Sequence, residues 1–300
     1  MTYGSPSSLD DVGRYLTAVR GGREPDHELV AEFRRRYDAI GGSPLIPITL
    51  AQAAALEARF GGEVVVRAAM RFSEPSIETA LDELATGAVD PVAAIILSPQ
   101  YSPMLMGGYA RAIEAARAAI GDDAPRVEVA GAWFDESAFV EALGQRIRTA
   151  IAAFPEDQRD TVPVLLTAHS LPLRVAREEP GYIAQLADSA ELVAAAAGLA
   201  PDRWTFCWQS AGHEPGEWMK PDFADLMPVL KAAGNRSVLI APIQFLADHL
   251  EILYDVEIGA RAQAEAAGLE FRRIRSLNDD PGLIDALEAV ARRSLLAVSA

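Results

Sequence analysis

The stretch VPVLLTAHSLP, residues 162–172, closes an apolar run on an imidazole. Imidazoles take and release protons near neutral pH, so His169 suits general acid–base work, although a histidine at a strand end also serves as a hydrogen-bonded structural residue. Further on, ADHLEILYD carries Asp248, Glu251 and Asp255. On a helix Glu251 and Asp255, four apart, share a face, with Asp248 a turn earlier. Such a row of carboxylates can pass a divalent cation or hold a proton; it can equally be a solvated face whose Asp248 complements the helix N-terminus. Trp218 lies in a Gly/Pro-rich loop, where a large aromatic needs something flat to cover it. Arg20 and Arg23 flank two glycines and Arg36 precedes Tyr37. These arginines are solvated helix ends or anchors for ligand carboxylates. His27 and His213 read as loop surface, and Cys207, Trp133, Trp204 and Trp208 as core. No Walker loop, GxGxxG or HExxH motif is present, so nucleotide and zinc-protease chemistry lack support.

The elements that must position these groups follow from hydrophobic patterning. Short β-branched runs at 63–70, 92–99, 126–132, 162–168, 204–210, 237–243 and 270–276 alternate with helical patterns, the last of them 222–233, 247–266 and 281–297. This alternation predicts an α/β fold of two Rossmann-like halves, 1–153 and 154–300, each a four-stranded parallel sheet flanked by helices, with a cleft between them. The polar segment AFPEDQRDT marks the junction. The first half is one strand short: MTYGSP reads as a loop leaving a strand, so that sheet is expected to lack a partner and to be less stable than the other. Ligands of open parallel sheets bind beyond the carboxyl ends of strands. His169, Gln209, Ser210, the 248–255 row and Pro99–Ser102 all fall there.

Composition excludes several classes. With 27 basic and 43 acidic residues the net charge is −16, which repels nucleic acid and anionic membranes. The single cysteine cannot form an intramolecular disulfide or hold an iron–sulfur cluster. No apolar run reaches about 18 residues and no signal peptide opens the chain. A cytoplasmic protein without nucleic-acid partner or stable membrane insertion is expected.

TAHSLP, WQSAGHEPGEWMKPDF and APIQFLADHLEILYDVEI resemble the three signature blocks of ferrochelatases, and YGSP, RYDAIGGSPLIPIT and LSPQYS resemble its N-terminal blocks. The chain is most similar to the soluble Gram-positive type that makes coproheme from coproporphyrin III in heme biosynthesis. The resemblance implies a monomer that binds porphyrin and ferrous iron as substrates and requires no cofactor. It implies His169 and Glu251 as the catalytic pair and His169, Glu251, Tyr3 and Asp255 as the groups that meet the metal. Trp218 would cover the porphyrin, and Arg20, Arg23, Arg36, Tyr37 and Ser43 lie in the blocks that hold propionates. The family's next acid along the row is Gly259 here, with Glu257 nearby. The alternatives are a protoporphyrin IX ferrochelatase, cobalt insertion into a sirohydrochlorin-type ring, and a non-catalytic tetrapyrrole carrier.

Overall fold

The computed structural model describes residues 1–212 and 216–299. In chain order the elements are α1 (Val12–Val19), α2 (His27–Ala39), α3 (Leu45–Arg59), α4 (Ile77–Thr86), β1 (Val92–Ala94), α5 (Pro103–Ile120), β2 (Val127–Val129), α6 (Ser137–Ala152) and α7 (Glu156–Arg159). They continue with β3 (Val164–His169), α8 (Leu173–Glu178), α9 (Pro180–Ala196), β4 (Trp204–Gln209), α10 (Phe223–Ala232), β5 (Ser237–Pro242), a π-helix (Glu251–Ala260), α11 (Arg261–Ala266), β6 (Glu270–Arg273) and α12 (Pro281–Ser299). Several helices start on a side chain that satisfies an orphan N–H: Asp26 accepts from Leu29, Ser76 from Thr79, and Asp222 and Asp225 form a reciprocal capping box.

The chain divides into two units. One contains Met1–Trp133, Ala247–Leu250 and the chain from Asn278 on; the other contains Phe134–Leu246 and Glu251–Leu277. The units interleave where the sequence reading places a single cut at 153, because α6 packs on α9 in the second unit and α12 packs on β1, β2 and α3 in the first.

The second unit holds a parallel sheet in the order β4-β3-β5-β6. Val164–Ala168 and all of β5 are buried. Central parallel strands are covered on both faces, which is why these segments read as unbroken apolar runs. Leu165, Cys207, Val238 and Ile240 face Met227, Ile252, Val256 and Ala264 from α10, the π-helix and α11. Helices α6 and α9 pack on β5 and β4.

The first unit departs from the expected four strands, with a two-stranded parallel sheet of β1 and β2. The segment 63–70 is not a strand. Only Met70 bridges, to Thr2 and to Ser76, while the N–H of Val66 donates to the Glu57 carboxylate at 2.7 Å instead of joining a ladder. Met1–Tyr3 is not a free loop either. The N–H of Thr2 donates to Ala69, that of Arg71 to Thr2 and that of Leu97 to Met1, so these residues are themselves hydrogen-bonded as a short strand would be. The Met1 ammonium donates to the Ile95 carbonyl at 2.6 Å, and enclosure of its nitrogen lowers its pKa to about 5. Beside it lies a cavity of about 540 Å³ lined by Val64, Val66, Ala68, Leu81, Val92 and Ile113.

A strand pair bordering a cavity opens locally at lower cost than strands buried on both faces. Amide hydrogens of Val164–Ala168 and Val238–Ala241 should therefore exchange more slowly than those of Val92–Ala94. Equal protection in a native-state exchange experiment would contradict this.

Candidate active site

His169 is the last residue of β3 and is half-buried. Its ring Nδ1 lies 2.5 Å from the Ser170 carbonyl oxygen. A carbonyl only accepts, so Nδ1 carries a proton, and in the tautomer this selects the lone pair lies at Nε2. The backbone N–H of His169 donates to Gln244 Oε1 at 2.7 Å, and the ring tilts against Phe245 with centroids 6.4 Å apart. Next to it, Ser170 donates its N–H to Gln209 and its hydroxyl to Met219. Gln209 is fully buried and its Oε1 accepts from the Thr167 hydroxyl at 2.5 Å.

The loop carrying Trp218 is pinned beside this strand end. Pro172 and Trp218 form an antiparallel bridge, the N–H of Met219 donates to Leu171, and that of Leu173 donates to Glu217. Gly212 lies against the indole: a Cβ there would come within 2.8 Å of the Trp218 ring. His213 lies outside the described residues. Cys207 is core, as expected, and burial pushes its thiol up to about 12.

Glu251 and Asp255 lie, half-buried, on the π-helix that follows β5, where a uniform α-helix over 247–266 was expected. Such i→i+5 turns are rare and concentrate at functional sites. A spacing of four is close to one turn, so the two carboxylates keep a common side. Asp248 is engaged elsewhere, its N–H donating to Asn278 Oδ1 at 2.8 Å and its carboxylate accepting from Asn278 Nδ2 at 3.0 Å. Glu257 is held by Arg261 and by Arg273 Nε at 2.6 Å. Burial raises the Glu257 carboxyl, but the hydrogen bonds from Arg261 and Arg273 outweigh this and hold it below the usual range. Its carboxylate is ion-paired with both arginines. Among the described residues no three His, Cys, Asp or Glu side chains gather into a metal-ion cage.

In the first unit Tyr3 is 43% exposed and edge-on to Phe72, with centroids 4.9 Å apart. The Arg71 guanidinium sits over Tyr3, Phe72 and Tyr109 at 4.6–5.7 Å from the three ring centroids. Gly108 makes room for it, since a Cβ there would overlap the guanidinium. Tyr37 and Ser43 are brought together, lining a second cavity of about 520 Å³ with Ser7, Ser8, Gly41 and Gly42. Arg36 is not part of that lining; its Nε donates to Glu32 at 2.8 Å. Arg20 and Arg23 are exposed at a turn, with Arg23 donating to the Arg20 carbonyl. Sequence reasoning overlooked Gln244 and Arg71. The available signals were their places, Gln244 directly after β5 and Arg71 between Met70 and Phe72.

The helix-flanked parallel sheets make this a chelatase-like α/β fold. A solved structure with this fold is SirB from Bacillus subtilis with Fe3+, with a TM-score of 0.60, 15% identity, and coverage of 84% of this chain and 90% of that one. The ferrochelatase family model matches residues 1–295. The chain is 37% identical over 295 residues to a ferrochelatase of Herpetosiphon aurantiacus, covering 97% of this chain and 96% of that one. It is 36% identical over 302 residues to a coproporphyrin III ferrochelatase of Geobacillus thermodenitrificans, covering 98% and 94%. The chain belongs to the ferrochelatase family, and metal insertion into a porphyrin is its activity. Among the described residues no helix is long and apolar enough to cross a membrane.

Proposed function

We propose that the chain inserts ferrous iron into coproporphyrin III to give coproheme. The observation that carries the mechanism is the fixed imidazole of His169, whose Nδ1–H is committed to Ser170 and whose Nε2 is left to accept a proton. Insertion forms bonds from iron to the ring nitrogens and releases the two pyrrole N–H protons. Nε2 of His169 takes a pyrrole proton, and Glu251 receives protons or steers the incoming metal. Tyr3 and Asp255 meet the metal as well. A flat macrocycle shields its nitrogens, so aromatic contacts such as Trp218 offset the cost of holding it bent. Arg20, Arg23, Arg36, Tyr37 and Ser43 hold propionates, arginine being suited to bidentate carboxylate recognition. Iron stays ferrous, so no redox cofactor takes part. The enzyme works in the cytoplasm as a monomer.

Coproporphyrin III carries four propionates and protoporphyrin IX two, so the arginines have more to hold in the former. An anaerobic Fe2+ assay followed by absorption should give the higher kcat/KM with coproporphyrin III. The reverse order would overturn the substrate assignment, and multiple turnovers with either would exclude a mere carrier.

A further inference from the structure

We propose that Gln244 is a positioning residue that holds the imidazole of His169 in its proton-accepting pose. The inference rests on the reading of His169 given above. In the ladder between β3 and β5 the N–H of Ile243 donates to the Thr167 carbonyl. In a parallel ladder the next bond along that edge runs from the N–H of His169 to the carbonyl of residue 243. That bond is not made. The Gln244 side-chain carbonyl takes its place, accepting from His169 at 2.7 Å. The side chain thus ends the ladder at the point where the strands part.

Gln244 is itself fixed. Its Nε2 lies 2.5 Å from the hydroxyl of Tyr182, which is 3% exposed near the start of α9. One amide therefore ties the backbone of His169 to a buried tyrosine on a packed helix. Its chain neighbour Phe245 places a ring against the imidazole. With the backbone of His169 held on one edge by Gln244, and Ser170 held on the other by Gln209, the Ser170 carbonyl stays where it accepts the Nδ1 proton. Releasing the first of these holds should let the ring leave that carbonyl and exchange tautomers.

Gln244→Leu removes the acceptor at similar volume, and Gln244→Asn withdraws it by one methylene. Gln244→Glu keeps it, because a carboxylate can accept from both His169 N–H and Tyr182 O–H. Nitrogen NMR of labelled histidine reads the tautomer directly, with the His169 signals among the four histidines assigned from their loss in His169→Ala. The wild type and Gln244→Glu should show the Nδ1–H form; the leucine and asparagine variants should show mixed tautomers. In the same variants kcat should fall about 10²-fold, the effect of a misplaced catalytic group, with KM for the porphyrin unchanged and kcat retained by Gln244→Glu.

An unchanged tautomer signature in the leucine and asparagine variants overturns the proposal whatever the rates. So does a changed signature with wild-type kcat. Full activity of His169→Ala would instead remove the histidine from the mechanism, and the tautomer signature would still decide whether Gln244 holds the ring.

Discussion

His169→Ala should lower kcat for metal insertion by about 10²–10⁴-fold, the range that a positioned acid or base contributes. Porphyrin binding should persist. The imidazole makes one side-chain hydrogen bond to its own neighbour's carbonyl and one tilted ring contact, so its loss does not unseat β3, whose Val164–Ala168 remain in the core. The measurement is single-turnover insertion beside equilibrium binding of the porphyrin. Loss of binding in step with rate would mean that the ring serves as a substrate contact, and an unchanged rate would mean that the protons leave by another route.

Glu251→Gln should cost about 10²-fold in kcat as well, because an amide can neither take up a proton nor attract a cation. Glu257→Gln is the contrasting variant, six residues along. Its carboxylate is held by Arg261 and Arg273, so metal insertion should be retained. Stability should instead fall, by about 1–3 kcal/mol for weakening a hydrogen-bonded charge cluster. Urea unfolding and the insertion assay together separate the two. Equal loss of insertion at both positions would show that the row of acids extends beyond Asp255.

The two central strands of the second unit, β3 and β5, were legible because burial on both faces leaves an unbroken apolar run, as in VPVLLTA and SVLIAPI. The same rule misled at 63–70. EVVV has strand chemistry, but the Val66 amide is taken by Glu57 and only Met70 finds backbone bridges. The π-helix did leave a trace. Ile252, Val256 and Ala260 are all buried at a strict spacing of four, wider than the 3.6 of an α-helix. His169 was visible as an imidazole closing a buried run. Gln244 was not, because its role depends on where the ladder between β3 and β5 stops. Asp248 looked like a member of the acidic row and Glu257 stood near the acid missing at Gly259, and only the positions of Asn278, Arg261 and Arg273 reveal their other attachments.

The last helix also bears on how the molecule is made. Because α12 packs against β1, β2 and α3, the first unit draws on residues at both extremes of the chain, while the second is closed by Leu277. Domains ordinarily mature on the ribosome from the amino end. Here the later-translated unit has all its residues first, and the earlier one waits, incomplete, until α12 has been made.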